Sequence, residues 1–178
     1  MKLIYTASQV REAEKPYIEA ADYDGYLMQR AADAVAAEAQ DLLHGKENAK
    51  ILLLIGPGNN GADTIYAGAR LSAKGHRVDA VIFDPSEKNL ELIAREGGEG
   101  TRVLDPEHTL EHLTGYDLTI DGILGTGSSG AVRGSAGEYL GVLRAAQLDG
   151  KLGAVLAVDT PSGVDNNRGT VHEPSLRA

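Results

Sequence analysis

Cysteine and tryptophan are absent from this chain, and phenylalanine occurs once. Without cysteine there is no disulfide, no thiolate ligand and no thiol nucleophile, so a metal must be held by oxygen or imidazole. Aromatic residues make up only 4%, too few to build a base-stacking platform for single-stranded nucleic acid. Positive charge is scarce too: 17 lysines and arginines stand against 26 acidic residues, a formal net charge of −9. That sign repels polyphosphates in general, so no nucleic-acid partner is expected and any bound anion must be seated by local geometry. No apolar run approaches the roughly 20 residues of a membrane helix. The opening "MKLIYTASQVREAEKPY" lacks the apolar stretch of a secretory leader. No membrane association and a soluble, cytoplasmic protein are the expectation.

What remains is enough for one packed core. A chain of 178 residues with 42% hydrophobic content suits a single domain spanning residues 1–178. Thr6 and Gln9 fit a capping box for a first helix through "ASQVREAEKPYIEA", which Pro16 should kink by removing one backbone donor. A second helix is predicted over "YLMQRAADAVAAEAQDLL". Then strand-like and helix-like segments alternate: "ILLLI", "RVDAVIFD", "TRVL", "YDLTIDGIL" and "AVLAVDT" are separated by helix-length stretches. This alternation predicts right-handed βαβ units and a mostly parallel sheet covered on both faces. "AREGGEG" reads as a solvated loop.

In the doubly wound order 3-2-1-4-5, the first and fourth strands are neighbours at the topological switch point, where ligands bind beyond the carboxyl ends of the strands. Strand one is followed by "GPGNNGADT", strand four by "GTGSSGAVRG" and strand five by "DTPSGVD". The first contains the G-x-G-x-x-G spacing, a weak signal alone because glycine opens turns everywhere. Three such segments converging on one rim are a stronger one. Glycines let backbone approach phosphate oxygens, and a helix start supplies positive partial charge without lysine. That suits an acidic protein binding an intact dinucleotide.

The ordered motifs "GPGNNGAD", "DGILGTGSSGAVRG" and "LAVDTPSGVD" resemble the YjeF N-terminal domain family. "ASQVREAEK" and "LMQRAADAVA" match more loosely, so the similarity spans almost the whole chain. The resemblance implies a Rossmann-like three-layer α/β sandwich with two N-terminal helices, commonly dimeric. It implies an isomerase, an NAD(P)HX epimerase, which interconverts the R and S forms of hydrated NADH or NADPH for a separate stereospecific dehydratase. It places Asn59, Asn60, Gly61, Ala62 and Asp63 on the substrate. Gly125, Thr126, Gly127, Ser128, Ser129, Gly130 and Ala131 would wrap its phosphates, and Asp159 would contact it. It assigns Asn60, Asp121 and Ser162 to one potassium ion per subunit; an amide oxygen, a carboxylate and a hydroxyl form a hard oxygen set.

Epimerisation by loss and return of a hydroxyl needs a proton donor and acceptor beside negative charge. Asp159 is the first candidate and Asp121 the second, and capping of the turns after their strands is the bland alternative for both. Ala62 stands where the family has a second glycine, so its Cβ is expected to crowd the ligand. Relatives continue into further strands beyond "GTVHEPSLRA", so the family's final strands are expected to be missing.

Three rival readings remain. A non-catalytic scaffold of the same fold, serving dimerisation in RNA decapping assemblies, needs the fold without the site; Asn60, Asp63, Asp121 and Asp159 favour the enzyme. Asp84 closes strand two where Rossmann dehydrogenases bind a ribose, but nothing supplies a hydride-transfer acid. "HTLEH", His108 to His112, has the H-x-x-E-H order of a zinc helix; without a third ligand context it reads as a solvated helix face.

Overall fold

The computed structural model describes residues 5–97 and 100–178. Met1 to Ile4, and Gly98 and Glu99 within the segment read as a solvated loop, lie outside the described residues. Helices α1 (Ala7–Ile18) and α2 (Tyr26–Leu42) precede an alternating run of β1 (Lys50–Ile55), α3 (Asn59–Ala73), β2 (Arg77–Ile82), α4 (Glu87–Glu96), β3 (Thr101–Val103) and α5 (Pro106–Leu110). After a short 3-10 turn come β4 (Leu118–Gly122), α6 (Gly134–Leu148) and β5 (Ala154–Ala157). The sheet order is β3-β2-β1-β4-β5 with every pairing parallel, the order expected from the sequence.

Strand alternation explains the layers. Ile51, Leu53 and Ile55 of β1 face α2, α3 and α4, packing against Ala36, Ala39, Ile65, Leu71 and Leu92. Leu52 and Leu54 face the opposite side and meet Tyr139, Leu140 and Leu143 of α6. A strand covered on both faces loses the apolar–polar alternation, so β1 reads as a continuous apolar run. β1 pairs with β2 on one edge and β4 on the other, with Leu54 beside both Val81 and Asp121.

Local chemistry sets the helix ends. Thr6 accepts from the Gln9 amide at 3.3 Å and its own N–H donates to Gln9 Oε1 at 2.9 Å, the capping box expected for α1. Pro16 lies inside α1, which continues to Ile18, so the expected interruption stops short of ending the helix. Almost all of α1 is exposed, Ala7 being its only buried residue. Beyond β5, β6 (Val164–Asp165) pairs with β7 (Thr170–Val171) as a small antiparallel hairpin that the sequence pattern did not reveal.

Leu53 is fully buried between β2, β4 and α3, with its Cδ1 close against Gly68. Leu53→Ala is expected to cost roughly 2–5 kcal/mol in urea unfolding, the lost burial plus the cavity left behind. A change below about 1 kcal/mol would show that this layer repacks freely.

Candidate functional site

The segment "GPGNNGADT" is less a loop than a turn feeding a helix. α3 begins at Asn59 with Gly58 as its N-cap, and no side chain caps it. The first N–H groups of that helix have no intrahelical acceptor, so its start is an anion seat within the motif itself. Its three spaced glycines differ in what requires them. A Cβ on Gly56 would stand 1.9 Å from the Ile123 carbonyl oxygen, and one on Gly61 would stand 2.1 Å from the Gly56 carbonyl oxygen. A Cβ on Gly58 would meet nothing within 4 Å. The outer two let β1, α3 and β4 approach; the middle one leaves open space for a ligand.

Asn89, buried on α4, braces this turn. Its Nδ2 donates to the carbonyls of Gly56 at 2.9 Å and Gly58 at 3.2 Å. Nothing in the motif's own spacing announces that residue.

The second and third segments meet the first as the topology requires. Gly56 donates its N–H to the Gly122 carbonyl at 3.2 Å, joining the ends of β1 and β4. Asp121 is fully buried on β4. Its carboxylate accepts from the Ser162 N–H at 2.8 Å, the Ser162 hydroxyl at 2.7 Å and the Ile123 N–H at 3.3 Å. Ser162 Oγ in turn accepts from the Leu124 N–H at 2.9 Å. Burial raises the Asp121 pKa, opposed by the bonds from Ser162 and Ile123. Asn60 Nδ2 donates to the Val158 carbonyl at 2.8 Å, and a Cβ on Gly125 would collide with its amide, 2.2 Å from Oδ1. The three residues proposed for a cation therefore occupy one corner. Its donors are all oxygen, and no cationic side chain pairs with Asp121 among the described residues. That donor set fits a hard cation.

Above this corner opens a cleft of about 500 Å³. Its walls include Pro57, Gly58, Asn59, Asn60 and Asp63 from the first segment, Gly125 to Ser128 from the second and Asp159 from the third. Gly61 and Ala62 do not line it, nor do Ser129, Gly130 and Ala131. The expected crowding by Ala62 does not occur. Ala62 sits within α3, fully buried in the core, and its Cβ packs away from the cleft.

The two carboxyl groups that the sequence places on the substrate both line this cleft, in unlike surroundings. Asp159 is exposed on a left-handed turn with φ of 62°. Asp63 is buried, and its Oδ1 has no hydrogen-bond partner among the described residues. Burial, then the nearby charge of Asp159, pushes the Asp63 carboxyl up to about 7; Glu14 adds to the shift and Lys88 opposes it. The group able to hold a proton near neutrality is thus Asp63, a residue the sequence places on the substrate only.

The floor of the cleft is motif, but one wall comes from the N-terminal helices. Arg11, Glu14 and Ile18 of α1 line it, with Tyr23 and with Leu27, Met28 and Ala31 of α2. Arg11 Nη1 lies 3.6 Å from where a Cβ on Gly127 would stand. Sequence reasoning assigned none of these. The signal was the spacing of Arg11, Glu14 and Ile18, which share one helix face.

Two outcomes are expected. Gly56→Ala should destabilise by several kcal/mol, because its contact is backbone, whereas Gly58→Ala should stay within about 0.5 kcal/mol; similar losses for both in thermal unfolding would refute the division. For Asp63 the native pKa lies above the unfolded value, so native protein binds the extra proton and stability falls as pH rises from about 4 to about 7. Asp63→Asn should flatten that slope and raise stability most above about pH 7 in urea titrations. An unchanged slope would place the proton elsewhere.

A family model described as "YjeF-related protein N-terminus" matches residues 25–178. An NAD(P)H-hydrate epimerase of Microbacterium testaceum is 35% identical over 98% of this chain and 66% of its own length. A bifunctional NAD(P)H-hydrate repair enzyme Nnr of Corynebacterium glutamicum is 34% identical over 95% of this chain, but the chain spans only 29% of that relative. The crystal structure of the yeast protein ynu0 superposes with a TM-score of 0.79 at 20% identity, covering 98% of this chain and 77% of that one, which shows the shared fold. With its motifs in order at one sheet edge, the chain belongs to the YjeF-related N-terminal family.

Proposed function

We propose that this chain is an NAD(P)H-hydrate epimerase, interconverting the R and S hydrates of NADH or NADPH and feeding a dehydratase that acts on one of them. The observation that carries this reading is the pairing of two unlike carboxyl groups, buried Asp63 and exposed Asp159, in a cleft floored by a glycine turn and a helix start. The names of the relatives support the same reaction.

The chemistry follows from that pair. Asp63 gives its proton to the departing hydroxyl, which leaves as water and takes the electrons of its C–O bond. The ring is left cationic, and the carboxylate of Asp159 stabilises that charge. Water then adds to the opposite face and loses its extra proton to solvent, from which Asp63 regains one. A buried carboxyl that holds its proton and an exposed one beside it are suited to these separate roles. Asp121, the second candidate in the sequence, is occupied by Ser162 and Ile123 beneath the cleft, and serves as a latch and cation ligand.

Asn60, Asp121 and Ser162 would hold potassium, which when bound supplies fixed positive charge beside the substrate oxygens. The start of α3 and Gly125 to Ser128 seat the pyrophosphate, and Arg11 supplies the one guanidinium on the cleft wall. The exposed apolar side chains of Tyr5, Val10, Tyr17 and Ile18 support pairing of two copies through the N-terminal helix; sedimentation of the chain as a monomer at all concentrations would remove that element.

The test is exchange between purified R and S hydrates, followed by chromatography. Asp159→Asn and Asp63→Asn should each slow it by roughly two to four orders of magnitude, the range of general acid–base catalysis, with binding weakened much less. Near-wild-type exchange by either variant would move the role from that residue. Exchange in desalted buffer should rise with added potassium, and Asp121→Ala should abolish the response. A rate indifferent to potassium would remove the ion.

A further inference from the structure

We propose that His108, Glu111 and His112 form a surface site for a divalent transition ion of the zinc and copper class. One ligand atom from each of the three lies within 4.8 Å of the others, and all three side chains are exposed. The two imidazole rings are 5.2 Å apart, centre to centre, and nearly edge to face. His108 lies in α5 and His112 just beyond its end, where the chain turns into the short 3-10 turn; bringing their exposed rings to metal–nitrogen distances of about 2.0–2.1 Å requires side-chain rotation.

The backbone carrying these ligands is fixed from beneath. Thr109 is fully buried; its hydroxyl bonds the Tyr139 hydroxyl of α6 and donates to the Pro106 carbonyl at 2.7 Å. Leu113 is buried in the same core cluster and Leu110 packs against it. Asp105 caps the turn, accepting from the Glu107 N–H at 2.9 Å. One side of the turn is thus anchored and the other presents His108, Glu111 and His112, a partly preorganised ligand set. Two neutral imidazoles and a carboxylate select zinc, copper or nickel over magnesium or calcium, which prefer all-oxygen sites. Asp105 and Glu107 add negative charge around an approaching cation without contributing to the cluster. This ligand chemistry differs from that of the all-oxygen corner at Asn60, Asp121 and Ser162.

Calorimetric titration of the intact chain with Zn²⁺ tests this. One equivalent should bind through this cluster, and His108→Ala or His112→Ala should each weaken binding by at least about tenfold, since even supporting residues of a metal site are worth that much. Glu111→Gln should weaken it less, and His172→Ala not at all. Cu²⁺ bound to wild type should show two-nitrogen coordination by electron paramagnetic resonance, lost in both histidine variants. Because both histidines are exposed, melting in metal-free buffer should match wild type, and Zn²⁺ should raise the melting temperature of wild type more than that of either histidine variant. Equal Zn²⁺ affinity in wild type and the double His108→Ala, His112→Ala variant would overturn the proposal, as would a copper spectrum unchanged by either substitution.

Discussion

The site depends on how closely the ends of β1 and β4 approach. Gly56 donates to the Gly122 carbonyl, a Cβ at Gly56 would stand 1.9 Å from the Ile123 oxygen, and a Cβ at Gly122 would stand 1.8 Å from Thr64 Oγ1. Backbone and the Thr64 side chain fill that junction. It is the switch point of the sheet, where helices leave to opposite faces and a crevice opens. With the junction closed, α3 starts where its free N–H groups face the crevice, and Asp121 reaches Ser162 on the next segment. Thr64 also ties the helix to itself by donating to the Asn60 carbonyl at 2.7 Å.

Asp121 carries that constraint one strand further. Its three accepted bonds hold the segment after β5 against the one after β4. A buried carboxylate is tolerable only when such donors satisfy it. The same bonds make it a poor proton shuttle and a good fixed point. The capping role weighed for it from the sequence and a cation-holding role are therefore compatible, because both need a carboxyl group held still.

Much of the fold was legible because its signals are local. The unbroken apolar run of β1, the capping box at Thr6 and the alternation of short strands with helices each follow from residues close in sequence. The five-strand order followed from them by topology. The two-residue strands β6 and β7 are too short to show a period. The start of α3 was hidden because glycine and asparagine read as turn formers, and only the packed helix shows Ala62 turned into the core. Motif spacing gave the floor of the cleft. It missed Asn89 and Arg11, which arrive from other elements, and it gave no view of protonation.

That last gap explains why the sequence reading ranked Asp159 ahead of Asp63 as the acid. From sequence, Asp159 lies after a strand at the rim, the usual place for an acid, while Asp63 is one polar residue among several in a motif. In three dimensions the rim position keeps Asp159 exposed, whereas helix α3 carries Asp63 inward to where burial, and then the nearby Asp159 carboxylate, oppose ionisation. A left-handed backbone at Asp159, with φ of 62°, costs of order 1 kcal/mol or more and persists only where surrounding structure imposes it. An unpartnered oxygen at Asp63 costs more stability still. Both expenses fall on the same cleft and on the two groups whose chemistry differs most. The proposed proton transfer uses both, a buried acid that holds a proton and an exposed carboxylate beside it.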